Sequence, residues 1–145
     1  MTRQSPHMAK TLQLILFTQS YLFAQSTAHW ALYLADDVST DGVGRLYHIA
    51  KAEDGEPKFC DESFRPSMSQ SLRGAVVVAN DTDLTEAELR ETCMDVSKNR
   101  TYDLLKNNCQ NWVTDVLQDL VLDGRIGQDD MDALPEKGFS PLYGN

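Results

Sequence analysis

Three side chains of the 145-residue sequence combine reactive chemistry with a telling position: His29, His48 and Cys109. Cys109 stands in "KNNCQNWVTDVLQDL" (106–120), at the mouth of an apolar-periodic helix. A cysteine there has two readings. In one it is a small apolar packing residue. In the other the partial positive charge of the helix N-terminus stabilises its thiolate and makes it a nucleophile. An imidazole within hydrogen-bond reach would take the thiol proton and later protonate the leaving group. A second polar group would hold that imidazole in the right tautomer. His29 opens one predicted strand and His48 lies late in the next. Antiparallel pairing across the loop between them brings both to one end of a sheet, and each is expected to face the start of the Cys109 helix.

Cys109, His29 and His48 are therefore the candidate catalytic residues. Backbone N–H groups at the start of the helix would supply an oxyanion site. Asn107, Asn108 and Gln110 are most simply capping residues, with Asn108 the N-cap, and Gln110 and Asn108 are the candidate oxyanion support. The other polar candidates read as structural. His7 sits in a polar tail, Cys93 packs inside a helix, Asp103 hydrogen-bonds locally and Asp115 faces water. Cys60, Cys93 and Cys109 form no CxxC pair and no His/Cys cluster at metal-ligand spacing, so no metal site is expected. An odd cysteine count fits a reducing compartment better than a disulfide framework.

The positioning elements follow from periodicity. "TLQLILFTQ" (11–19), "HWALYLA" (29–35), "RLYHIAK" (45–51), "KFCDESF" (58–64) and "RGAVVVAN" (73–80) read as strands. Helical spacing then takes over. Thr85 and Glu88 form a predicted capping box for a helix reaching Lys98. A second helix is predicted over 109–123, with Gly124 as its stop. In it Trp112, Val113, Val116, Leu117 and Leu120 recur at core spacing, and Trp30 is likewise read as core. Strands followed by helices predict an α+β domain with a meander-like antiparallel sheet. Residues 1–10 form a flexible tail, 11–127 one domain and 128–145 an irregular tail.

Composition narrows the partners. With 22 acidic and 13 basic residues the net charge is -9. Such a surface repels nucleic-acid phosphates and anionic headgroups. No run approaches the ~20 apolar residues of a membrane span. Residues 1–26 have a weak signal-peptide character, but Thr18-Gln19-Ser20 interrupts the apolar run, and a buried strand is the stronger reading. A cytoplasmic protein is expected.

"HWALYLA", "LYHIA" and "NNCQNWV", in that order, resemble the lecithin:retinol acyltransferase-like group of permuted NlpC/P60, papain-like cysteine enzymes. They resemble still more closely small fungal proteins that combine an HWAL strand with an NCQ helix. The resemblance spans about residues 11 to 124 and implies a circularly permuted papain-like fold. It implies Cys109 as nucleophile, His29 as general base and His48 as the group orienting His29. Gln110-Asn111-Trp112 departs from the Glu-His-Phe that follows the cysteine in that group. The C-terminal membrane helix of its phospholipid-acting members has no counterpart in the sequence.

The expected activity is a thiol-dependent acyl hydrolase or acyltransferase acting on an ester, thioester or amide, without metal or organic cofactor. Its substrate would be a small acyl-bearing molecule or a peptide. Two rivals stand beside it: a PPPDE-like isopeptidase acting on ubiquitin-like or peptide substrates, and a non-catalytic interaction module on the same fold.

Overall fold

The computed structural model describes residues 10–17, 29–51, 57–69, 72–98 and 109–137, with Ala50, Lys51, Pro57, Asp81 and Cys109 described by their backbone alone. Five strands, β1 (Lys10–Phe17), β2 (His29–Ala35), β3 (Gly44–Lys51), β4 (Pro57–Phe64) and β5 (Leu72–Thr82), form one antiparallel sheet in the order β4-β3-β2-β1-β5. The first four strands make the expected meander, and β5 returns to the free side of β1. Helices α1 (Glu86–Ser97), α2 (Cys109–Leu122) and α3 (Gln128–Asp132) follow. The domain is α+β, as expected.

The two faces of the sheet bury different side chains. On one face Leu12, Leu14, Trp30, Leu32, Leu34, Tyr47 and Ile49 pack with Leu89, Cys93 and the whole predicted stripe of α2. Trp112 and its companions at 113, 116, 117 and 120 are fully or almost fully buried there. The intervening residues Ile15, Phe17, Ala31, Tyr33, Ala35 and Leu46 form a second, smaller cluster on the other face. Alternation along each strand produces this division.

The sheet coils toward that second face. The ring of Phe64 on β4 lies 5.8 Å from that of Phe17 on β1, edge-on. In a flat sheet three strand spacings alone would separate those backbones by at least about 14 Å. The hydroxyl of Tyr33 donates to the carbonyls of Gly42 and Phe64 and ties the curl together. Gly44 passes so close to β2 that a Cβ there would lie 2.6 Å from the Leu34 carbonyl oxygen.

Both predicted helix signals are realised. Thr85 Oγ1 accepts from Glu88 N–H while the Glu88 carboxylate accepts from Thr85 N–H, closing the capping box. Gly124, at φ 74°, ends α2. Arg125 N–H reaches back to the Leu120 carbonyl and Gly124 N–H to that of Val121, the paired bonds of a left-handed glycine stop. The predicted N-cap Asn108 lies outside the described residues.

The tail beyond 127 differs from its irregular expectation. Residues 128–132 form α3 and 135–137 a single 3₁₀ turn. The Asp130 carboxylate accepts from Gly127 N–H to start α3. Leu134 and Met131 pack against the main core, and this burial overrides a sequence with little helical periodicity. Among the described residues no helix is long and apolar enough to cross a membrane.

Candidate active site

The β2–β3 ladder runs from Leu34–Arg45 to Leu32–Tyr47. Just beyond it, at the same end of the sheet, the two imidazoles meet. His29 Nε2 lies 3.0 Å from His48 Nδ1, and the ring centroids are 5.3 Å apart. The other nitrogen of His48, Nε2, lies 2.8 Å from Glu62 Oε2. Register explains the second contact. His48 faces Cys60 across the β3–β4 ladder, and Glu62, two residues along, shares that face.

The carboxylate fixes the proton positions along this chain. Glu62 accepts, so His48 Nε2 carries the hydrogen and His48 Nδ1 is left as an acceptor. His29 Nε2 must then donate to His48, which leaves His29 Nδ1 as a bare lone pair. This assignment requires both rings to be neutral, and burial makes them so. It lowers the His29 pKa from 6.5 to about 3, with the nearby His48 adding to the effect. It lowers that of His48 too, outweighing the hydrogen bond and charge of Glu62. His29 Nδ1 is buried and has no hydrogen-bond partner among the described residues.

Cys109 is the first residue of α2, as expected, and its side chain lies outside the described residues. Trp112, one turn further on, stacks on Phe59 with centroids 5.7 Å apart. Phe59 pairs with Ile49, the residue after His48. The helix therefore starts at the imidazole end of the sheet.

Both rings were expected to face the start of α2; among the described residues His29 pairs with Phe17 and packs against it, on the face of the second cluster. The body of α2 lies on the other face with Trp30, Leu32 and Leu34. The alternation is as expected, and it turns His29 away from the helix stripe because that stripe fills the Trp30 face. Gln110, expected as support for an oxyanion, is buried in the first turn of α2. Asn108 falls outside the described residues.

Sequence reasoning misses Glu62. Its signal is its place two residues after Cys60 in a strand running beside the His48 strand, which only the pairing register reveals. Cys60 itself lies half-buried next to this group, and burial with the charges of Glu62 and Asp61 raises its thiol pKa. Cys93 is fully buried in the main core, as read, and burial raises its pKa well above the ordinary thiol value.

An α+β domain carrying an oriented pair of imidazoles is thus the class that fold and site define. Residues 16–127 match the model of DUF6540, a family of unknown function, and the chain belongs to that family. Neither a curated protein nor a solved structure matches it.

Proposed function

We propose that this protein is a thiol-dependent acyl-group enzyme of the permuted papain-like kind, with Cys109 as nucleophile and His29 Nδ1 as its proton acceptor. The observation that carries this proposal is the hydrogen-bond chain from Glu62 through His48 to His29, which ends in a buried lone pair with no partner among the described residues. A carboxylate that sets the tautomer of a base is the supporting part of a catalytic triad. The chain has one more member than the sequence suggests: His48 orients His29, and Glu62 orients His48.

In this proposal the thiol meets His29 around the starting end of β2, not across the sheet. Cys109 Sγ attacks the substrate carbonyl while its proton passes to His29 Nδ1. Because His29 is a weak base at rest, thiol and imidazole wait as a neutral pair, and the proton moves as attack proceeds. The carbonyl oxygen takes negative charge beside the N–H groups of the first turn of α2. The protonated His29 then gives its proton to the leaving oxygen, sulfur or nitrogen, leaving an acyl thioester on Cys109. Water or an acceptor, deprotonated by His29, releases the acyl group and regenerates the thiol.

The placement of the imidazoles on the face opposite α2 favours a second reading, a non-catalytic interaction module. Intact-protein mass spectrometry separates the two. Incubation with a small acyl thioester, or with an electrophilic ubiquitin-tail probe, should place one adduct on Cys109. The probe that reacts faster identifies the acyl or isopeptide class. Cys109→Ala should abolish the adduct and His29→Ala should slow it strongly. No adduct with either probe, or a rate unmoved by His29→Ala, leaves the interaction module.

A further inference from the structure

His48, Cys60 and Glu62 each offer one ligand atom, and these three atoms lie within 4.8 Å of one another. Two adjacent strands create the group: His48 and Cys60 are opposed in register, and Glu62 follows Cys60 on the same face. Ligand atoms around tetrahedral zinc stand about 3.3–3.8 Å apart, given metal bonds of about 2.0–2.3 Å. Small rotations of the exposed Glu62 side chain and of Cys60 span the difference. Arg45 and Arg90 both pair with Asp61, on the other face of β4, and so leave these ligand atoms alone.

We propose that His48, Cys60 and Glu62 hold a zinc ion, and that the bound ion blocks the proton-accepting nitrogen of His29. An imidazole nitrogen, a thiolate and a carboxylate are a zinc donor set, whereas magnesium and calcium demand mostly oxygen. Three protein ligands leave a fourth position for water or an incoming group. The metal takes the lone pair of His48 Nε2, where the resting ring carries its hydrogen. The ring hydrogen of His48 then sits on Nδ1 and donates to His29 Nε2. His29 must carry its own hydrogen on Nδ1, the atom that would otherwise receive the thiol proton. One proton, that of Cys60, is released to solvent, and the two ring protons are only redistributed. Binding stands independently of the acyl-enzyme proposal, while the block of His29 rests on it.

The test uses chelator-treated full-length protein, titrated with zinc by calorimetry and with cobalt(II) by absorption. One equivalent should bind, and cobalt should give a sulfur-to-metal charge-transfer band. The band should persist in Cys109→Ala and vanish in Cys60→Ala. Zinc affinity should fall at least tenfold in Cys60→Ala and in Glu62→Gln. The second variant alters an exposed side chain and guards against a folding defect in the first. Failure to bind near one equivalent, or a band that survives Cys60→Ala, overturns the site. Zinc should also slow alkylation of Cys109 by iodoacetamide at least tenfold in the wild type, and not in Cys60→Ala. Binding without that slowing overturns the block of His29. Alkylation insensitive to His29→Ala overturns the acyl-enzyme proposal instead and leaves the zinc site standing.

Discussion

Nε2 of His29 lies 3.0 Å from Nδ1 of His48, so the protonation pattern of one ring dictates that of the other. With Glu62 anchoring the far side of His48, a change on the exposed edge strand is transmitted to an atom buried at the start of β2.

Thiol reactivity should follow this chain in order. In the proposed site Cys109 reacts with iodoacetamide well before Cys93, which is fully buried and should react only when the domain opens. His29→Ala should slow Cys109 by about 100-fold, the lower end of what general-base assistance provides. His48→Ala and Glu62→Gln should each slow it by about tenfold, since they disturb only orientation. Alkylation rates located by peptide mapping check the order, and equal effects of all three variants would argue for a general loosening of the fold.

Acid should destabilise the domain through His29. Its folded pKa, about 3, lies below the unfolded value of 6.5. The unfolded chain therefore gains a proton below pH 6.5 that the folded chain refuses. Stability from this group is full above pH 6.5 and is lost as pH falls toward 3. Between pH 7 and pH 5 the loss is about 2 kcal/mol from His29 alone. Urea unfolding at the two pH values, with a chelator present, measures it. His29→Gln should remove that part of the slope, and an unchanged slope would mean that His29 is not held neutral in the fold.

Gly44→Ala should cost about 1–3 kcal/mol, the usual range for overpacking. The added methyl would meet the Leu34 carbonyl oxygen at 2.6 Å, Tyr33 Cε1 at 2.7 Å and the Ala35 Cβ at 2.8 Å. Two of these neighbours lie in the β2 backbone or at its Cβ and cannot swing aside. Thermal unfolding reads the effect. Gly42→Ala is the control, because nothing lies within 4 Å of the place its methyl would take.

Starting the chain at Thr27 should abolish folding. The sequence reading of a buried strand over 11–19 holds for residues 11–17, β1 also taking in Lys10, and β1 is flanked by β2 and β5 on its two sides. Its loss would strip two ladders of their partner and remove Leu12, Leu14 and Ile15 from the two cores. Circular dichroism of the shortened chain should show no cooperative melt. A cooperative melt at the full-length temperature would make the residues before Thr27 dispensable.

Local signals made most of the fold legible. The Thr85–Glu88 capping box, the Gly124 stop and the strand of 29–35 are set by neighbours in sequence, and all three appear as read. Leu134 shows where such signals end: it is drawn into the core by tertiary packing, and α3 forms with it. At the site, residue types pointed to His29 and His48, and their proximity is realised. Which face they occupy depends on where α2 packs, and the role of Glu62 depends on the β3–β4 register. Neither is encoded within one short stretch.

The position of β5 has a consequence for synthesis. Phe17 pairs with Leu72 and Lys10 with Thr82, so one side of β1 waits for a strand made much later. At ~5–20 residues per second, the nascent meander presents that unpaired edge for several seconds. An open edge is a template for pairing with another chain. Until β5 emerges that edge of β1 is open to such pairing, and the docking of β5 closes it.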